Sequence, residues 1–213
     1  MYKVLVLDSR PPAHRRHSLA RTLGFTLIEL VVVILLLGVL AAIGFPRFHD
    51  SVDASQRARL QGFAGAMASA VGIVKAQWVA DGKPNAVVLE DGTVVNVDPA
   101  TGFPVDDRDQ ANDTAANMGI RECERLFPAL LQTGATATRS NNANTLRRND
   151  FYVRRVNGPG GSADTCVYYA ISEALIAARP NNSGIDPRYP ALVYTPGDGR
   201  VVVANAPLAA SLQ

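Results

Sequence analysis

One acidic residue stands inside the most apolar stretch of this sequence. Glu29 follows the run Gly24-Phe25-Thr26-Leu27-Ile28, and the 17 residues from Leu30 to Pro46 carry no charge. An ionised carboxylate at the centre of a lipid bilayer costs about 2.5 to 3.5 kcal/mol, so such a residue requires a partner or a proton. The pattern therefore indicates a functional carboxylate.

The rest of the sequence offers few groups for catalysis or metal binding. His49 is the only histidine after residue 24, so a Ser-His-Asp set is excluded from the C-terminal part, and two cysteines with one histidine do not give a zinc site. The run Asp106-Asp107-Arg108-Asp109 lacks the glycine and the terminal glutamate of an EF-hand loop, which favours a solvated loop. We therefore expect no enzymatic activity, cofactor or metal.

The apolar stretch is long enough to cross a membrane as a helix. Residues 25–46 number 22, and about 20 helical residues span the hydrocarbon core of roughly 30 Å. Residues 1–24 hold five of the 21 basic residues and one of the 19 acidic ones, which predicts a cytoplasmic N-terminus and an exported C-terminal part. The remaining 16 basic and 18 acidic residues give no support for nucleic-acid binding.

The block Gly24-Phe25-Thr26-Leu27-Ile28-Glu29, with the basic leader and the charge-free run, resembles the processing and assembly signal of type IV pilins and of type II secretion pseudopilins. The resemblance implies that a prepilin peptidase cuts after Gly24 and methylates Phe25. It also implies that Glu29 of one subunit neutralises the new amine of a neighbour in a bundle of identical helices. A plain signal anchor is the alternative; a secretory signal would place its small-residue cleavage site after the apolar run.

These features predict three segments. Residues 1–24 are a cleaved leader, residues 25–46 a transmembrane and assembly segment, and residues 47–213 an amphipathic helix with an exported head. Before assembly the partners are membrane lipid, the peptidase and the inner-membrane pilus assembly machinery, as the resemblance implies.

The helix is predicted to continue well beyond the membrane segment, from about Phe25 to Val79. Apolar residues recur at helical spacing and form one stripe that should face a sheet. The predicted stripe consists of Phe48, Val52, Leu60, Phe63, Met67, Val71, Val74 and Trp78. Gly38 and Pro46 weaken helix propensity between the halves; the resemblance implies that this segment loses helicity in a filament, and a simple kink is the alternative. Asp81-Gly82-Lys83-Pro84 should end the helix.

Beyond the helix the pattern changes to short β-branched runs. A hairpin is predicted over residues 86–97 around Glu90-Asp91-Gly92, then a surface loop over 98–118, a helix near 115–131 and a flexible tract over 132–144. Four further strands are predicted at 151–156, 165–171, 191–194 and 200–204. Their order and short turns favour an antiparallel sheet. The predicted fold is α+β, a long N-terminal helix packed on an antiparallel sheet as in type IV pilins.

Two cysteines, Cys123 and Cys166, are the only ones in the chain. In an exported domain they imply one disulfide. The bond would close a loop of about 43 residues and stabilise the head by roughly 4 kcal/mol on the chain-entropy model.

Five arginines form a local basic cluster in the sequence: Arg139, Arg147, Arg148, Arg154 and Arg155. Residues 131–213 hold eight basic and five acidic residues, against eight and thirteen in residues 25–130. The last four arginines are therefore a candidate contact patch. They bind DNA or another anionic surface, or they contact the acidic half of the next subunit; we favour subunit contact or plain solvation.

The chain is thus predicted to be a prepilin, the structural subunit of a helical filament of identical subunits, with surface attachment or motility implied by the resemblance. Within the family it looks most like the mannose-sensitive haemagglutinin type of pilin. The residues that carry this are Phe45-Pro46-Arg47-Phe48, Gly102-Phe103-Pro104 and Cys166-Val167-Tyr168-Tyr169. A secretion pseudopilin, a minor DNA-uptake pilin and a membrane-anchored domain of another class are the alternatives.

Overall fold

A single long helix begins the described part of the chain. The computed structural model of the protein describes residues 25–106, 114–158, 163–180 and 184–204, with the backbone alone for residues 43–53. Helix α1 spans Leu27–Ala80, which confirms the predicted helix. The chain divides after Pro46 into two compact units, residues 1–46 and residues 47–213.

The second half of α1 packs through the predicted apolar stripe. The buried members are Leu60, Met67, Val71, Val74 and Trp78, and Phe63 is partly buried against them. Their spacing places them on one face of the helix, because residues three, four and seven apart lie above one another. Phe48 and Val52 lie outside the described side chains.

The helix ends at the predicted glycine signal. Gly82 and Lys83 have φ angles of 80° and 64°, and the N–H of Lys83 donates to the carbonyl of Trp78 at 2.8 Å. Glycine adopts this left-handed conformation without a steric penalty from Cβ, so the last turn closes on itself. The indole N–H of Trp78 then donates to the carbonyl of Pro84 at 2.9 Å and fixes the exit of the chain.

Three short strands form the first, antiparallel sheet. They are β1 (Ala86–Val88), β2 (Val94–Val97) and β3 (Pro104–Asp106), in that order. The pairing of β1 with β2, with Val87 opposite Val95, confirms the predicted hairpin. Strand β3 was not predicted, and its three residues are buried, so the prediction of a surface loop over residues 98–118 is wrong at this point.

The connection between β2 and β3 is anchored by two buried residues, Asp98 and Gly102. The carboxylate of Asp98 accepts the N–H groups two and three residues further on, each at 2.9 Å, and the N–H of Ala115 at 2.8 Å. Gly102 has a φ of 70°, and a Cβ there would lie 2.2 Å from the ring of Trp78. Backbone donors with such acceptors can leave water without a penalty.

Helix α2 spans Ile120–Leu130 and confirms the helix predicted near residues 115–131, although Gly119 is already its N-cap. Its buried face consists of Cys123, Leu126, Phe127 and Leu130. Pro128 lies in the last turn, where it removes one backbone hydrogen bond without ending the helix.

Five strands form the second sheet, in the order β4-β5-β6-β7-β8. They are β4 (Ala137–Thr138), β5 (Phe151–Val156), β6 (Thr165–Ala170), β7 (Ala191–Thr195) and β8 (Arg200–Ala204). The pairs from β5 to β8 are antiparallel, which confirms the predicted sheet. The short edge strand β4 runs parallel to β5, so residues 132–144 are not simply a flexible tract; a helical crossover makes this parallel pairing feasible.

Two short helices complete the head: α3 (Ala143–Leu146), in the crossover from β4 to β5, and α4 (Glu173–Ala177), after β6. They pack on one face of the second sheet, whose buried cluster includes Tyr152, Val167 and Tyr169. Alternate residues such as Phe151 and Val153 belong to the main core with α1, α2 and the first sheet. Because successive side chains of β5 point to opposite faces of the sheet, this strand contributes residues to both cores.

Candidate assembly segment and head surface

The first part of α1 is an apolar helix without a buried face. Every described side chain from Phe25 to Ala42 is exposed, with Leu27 at 81% and Leu40 at 66%. A helix that is apolar all round is stable only where lipid or other helices cover it. This segment therefore requires a partner that the chain itself does not supply within the described residues.

Glu29 lies in the first turn of this helix, where a carboxylate also favours the positive end of the helix dipole. Its N–H donates to the carbonyl of Thr26 at 3.1 Å and to the Thr26 hydroxyl at 3.3 Å. Thr26 is thus the N-cap, a role that our sequence analysis missed although the Thr-x-x-Glu spacing is a capping signal. Gly24 lies outside the described residues. A cut after it would leave the amine of Phe25 one helical turn from Glu29.

Two stretches of α1 are apolar enough to be compared as membrane-crossing helices. By length and composition Ala54–Ala80 qualifies, because its 27 residues include an 18-residue window with a mean hydropathy of 1.3, whereas the described apolar stretch Leu27–Ala42 is shorter. The longer stretch buries Leu60, Met67 and Trp78 in the head, as the core helix of a soluble domain does. The shorter stretch has no buried face, and the sequence stays uncharged up to Pro46.

Gly38 and Pro46, the predicted helix-break segment, both lie inside α1, and the helix is assigned through them. A Cβ at Gly38 would meet nothing within 4 Å. The predicted loss of helicity concerns the assembled filament, so it stays a prediction.

The predicted disulfide is confirmed. Cys123 and Cys166 are bonded, with their Cα atoms 5.5 Å apart, and both are fully buried. The bond joins α2 to β6. The buried Tyr168 hydroxyl donates to the carbonyl of Cys123 at 2.8 Å and reinforces the same junction.

The four arginines of the candidate contact patch do not form one surface. Arg154 and Arg155 are consecutive on β5 and therefore point to opposite faces of the sheet. Arg155 pairs with Asp164 at 2.8 Å, and Arg147 pairs with Glu173 at 2.9 Å. The side chain of Arg148 is exposed. Two of the four charges, those of Arg147 and Arg155, are thus paired with carboxylates of the head itself. A contact role for the four residues stays a prediction.

The structure corrects the prediction of a solvated loop at the first residue of the acidic run, Asp106. Asp106 is fully buried and accepts two hydrogen bonds from Nη2 of Arg125, at 2.6 and 2.8 Å, and one from its Nε at 3.0 Å. Its carboxylate is therefore a structural partner of α2 and not part of a solvated loop; residues 107–109 lie outside the described residues. Among the described residues no three His, Cys, Asp or Glu side chains form a metal-binding group.

The other unpredicted feature of the head is the buried carboxylate of Asp98. Burial alone would raise its pKa, but the N–H groups of Ala115, Thr101 and Ala100 outweigh burial and hold the pKa below its usual range. The sequence signal was an Asp followed by a Pro-Ala-Thr-Gly turn, in which an aspartate commonly accepts backbone N–H groups. The residue organises the junction between β2, β3 and the segment before α2.

Comparison with known proteins identifies the N-terminal segment. Residues 19–45 match the prokaryotic N-terminal methylation motif. The chain is 46% identical over 57 residues to the type IV narrow pilus major component of Thermus thermophilus, which is 27% of this chain and 49% of that protein. It is 32% identical over 97 residues to a type IV major fimbrial protein of Dichelobacter nodosus, 46% of this chain and 58% of that one. It is 51% identical over 39 residues to the type IV major alpha-pilin of Moraxella bovis, 18% of this chain and 24% of that one.

These similarities have a defined extent. The two longer matches span about half of the length of the curated relatives. No solved structure matches the chain. The relatives are named as pilus and fimbrial components, which is a structural class and not a class of enzymes. The methylation motif and these matches therefore show that part of the chain is similar to type IV pilins.

Proposed function

We propose that the chain is a structural subunit of a type IV pilus. The observation that carries this is the coincidence of the methylation motif at residues 19–45 with the first part of α1, where every described side chain up to Ala42 is exposed. Such a helix gains stability only when it is covered, and identical helices related by a repeated rise and rotation would cover it in a filament.

The precursor would be held in the inner membrane by residues 25–46, with the basic leader on the cytoplasmic side. Prepilin peptidase would cut after Gly24 and methylate Phe25. The carboxylate of Glu29 would then neutralise the new amine of a neighbouring subunit, because neither charge is stable alone among apolar helices. The inner-membrane assembly machinery would transfer the helix from lipid to the filament.

The head would be exported and would form the outer surface of the filament. The disulfide between Cys123 and Cys166 fits an oxidising compartment. The mannose-sensitive haemagglutinin subtype, and with it a role in surface attachment, rests on three short sequence blocks such as Gly102-Phe103-Pro104.

Electron microscopy of filaments sheared from cells, with antibody to the head, tests the function. We expect labelling along the whole filament and loss of the filaments when the gene is deleted. A processed subunit that stays in the membrane fraction, with unlabelled filaments, would instead indicate a secretion pseudopilin. Restoration of filaments by Gly24→Leu would contradict the processing step, because a bulky residue before the cut should block the peptidase.

A further inference from the structure

Arginines in the described head differ in whether they pair with a carboxylate. Seven of them pair with a carboxylate: Arg59, Arg125, Arg139, Arg147, Arg155, Arg188 and Arg200. Arg154 and Arg179 have no carboxylate partner among the described residues, yet both contact one residue, Asn141. Two adjacent guanidinium groups without an anion are unusual in a head that pairs most of its other arginines.

The contacts of Arg154 fix its guanidinium on the face of the sheet that carries α3 and α4. Nη2 donates to Oδ1 of Asn141 at 2.8 Å, and Nε donates to the carbonyl of Pro180 at 3.3 Å. The guanidinium lies over the ring of Tyr152, 4.3 Å from its centre. Because it is stacked and doubly hydrogen-bonded, Arg154 is held in place and does not sample solvent freely.

Arg179 reaches the same point from the segment after α4. Its Nη1 donates to the backbone carbonyl of Asn141, and its Nε donates to the carbonyl of Ile176 at 3.3 Å. The acceptors that the described residues supply to the two arginines are thus neutral. Burial and, after it, the charge of Arg179 lower the pKa of Arg154, as expected for like charges that lack a counter-ion.

The side chains of Asn141, Arg154 and Arg179 each keep an N–H group that can donate to a ligand. Oδ1 of Asn141 accepts both Arg154 and the Tyr152 hydroxyl, at 2.8 and 2.5 Å, which identifies it as the oxygen and leaves the amide nitrogen as a donor. Nη1 of Arg154 and Nη2 of Arg179 donate to no acceptor among the described residues. Two positive charges and donors from three residues suit an anion with three oxygens and two charges.

We propose that Arg154, Arg179 and Asn141 form a binding site for a phosphate group on the head. A carboxylate has two oxygens and one charge and would leave half of the site unmatched, whereas a phosphate can accept from both guanidinium groups and from the amide. The group could be a free phosphate or one carried by a polymer. The proposal does not depend on filament assembly.

Equilibrium dialysis of radiolabelled inorganic phosphate against the full-length protein in neutral detergent tests the site. We expect saturable binding of one phosphate per chain. Arg179→Gln and Arg154→Gln should each weaken it by about tenfold or more, since each removes a charge-assisted contact. Arg121→Gln removes the same charge from an exposed arginine on α2, outside the site, and should leave binding unchanged.

Three controls make the result decisive. Thermal unfolding of each variant shows whether the head still folds. If the Arg154→Gln variant does not fold, the proposal is judged on Arg179→Gln, which changes an exposed residue. Excess acetate at equal ionic strength should displace little phosphate. Linear polyphosphate and unlabelled inorganic phosphate are compared as competitors at equal phosphate concentration. Stronger competition by polyphosphate would identify a polymer as the ligand; otherwise the ligand is the free ion. Unsaturable uptake, or an equal loss with Arg121→Gln, would overturn the proposal.

Discussion

The two parts of helix α1 differ in what stabilises them. From Phe25 to Ala42 every side chain is apolar or small except Thr26 and Glu29, and all are exposed. From Leu60 to Trp78 the same helix buries one stripe in the core of the head. The first part is therefore incomplete without partners, and the second part is complete within one chain.

We therefore expect the first part of α1 to govern assembly and the head, with the second part of α1, to govern the stability of the fold. A change in the first part should alter what the helix associates with and leave the head folded. A change in the head should lower its free energy of unfolding and leave processing intact.

Glu29→Ala should abolish filaments completely while cleavage after Gly24 continues. The carboxylate is the only charge between Phe25 and Pro46, so nothing else in that stretch can neutralise the amine of a neighbour. Filament yield by electron microscopy and the mass of the subunit check this. Glu90→Ala, which removes an exposed acid of the head, is the matched control and should assemble normally. Normal filaments from Glu29→Ala would refute the role of this carboxylate.

Replacing both cysteines, Cys123→Ser with Cys166→Ser, should lower the free energy of unfolding of the head by about 4 kcal/mol, because the bond closes a loop of 43 residues. Urea denaturation of the protein in detergent measures the change. Wild-type protein treated with reductant should shift similarly. An unchanged denaturation midpoint would show that the bond contributes nothing to the stability of the head.

Arg125→Gln should lower the free energy of unfolding of the head by about 3 kcal/mol, because it leaves the fully buried Asp106 carboxylate without its charged partner. Arg147→Gln is the matched control: its pair with Glu173 is exposed on both sides and should contribute no measurable stability. Denaturation midpoints of the two variants decide the point. Equal midpoints would mean that burial does not distinguish these two ion pairs.

Asp98→Asn should lower stability by about 2 kcal/mol at neutral pH, because the neutral amide loses charge-assisted bonds to backbone N–H groups. Asp81→Asn, at the exposed end of α1, is the control and should be neutral. Thermal or urea unfolding measures both. Equal midpoints for the two variants would remove Asp98 from the account of the β2–β3 junction.

The same variant has a pH signature. The lowered pKa of Asp98 means that its stabilisation is complete above the ordinary carboxyl pKa of about 3.9 and is lost as the pH falls through the folded value. The difference in stability between wild type and Asp98→Asn should therefore disappear in acid. A difference that stays constant as the pH falls below about 3.9 would show that the charge is not the cause.

Much of this fold could be predicted from the sequence. The helix, the hairpin around Asp91, and strands β5 to β8 have strong local signals: helical spacing, a turn glycine, and β-branched runs between turns. The disulfide followed from the number of cysteines and the inferred export. Glu29 was recognisable because a charge in an apolar run is costly.

The parts that the sequence did not reveal depend on distant contacts. Strand β3 has three residues and is held by Asp98 and by the close approach of Gly102 to Trp78, neither of which is visible in a local pattern. The parallel edge strand β4 depends on its pairing with β5. Arginines that are neighbours in the sequence were grouped as one patch, but strand alternation sends Arg154 and Arg155 to opposite faces.

The central claim, that the first part of α1 is a processed assembly helix, is tested most directly by mass spectrometry of the N-terminal peptide of the subunit from sheared filaments. We predict a peptide that begins at Phe25 with an added methyl group on its amine. A peptide that begins at Met1, or an unmethylated start at another residue, would contradict the account.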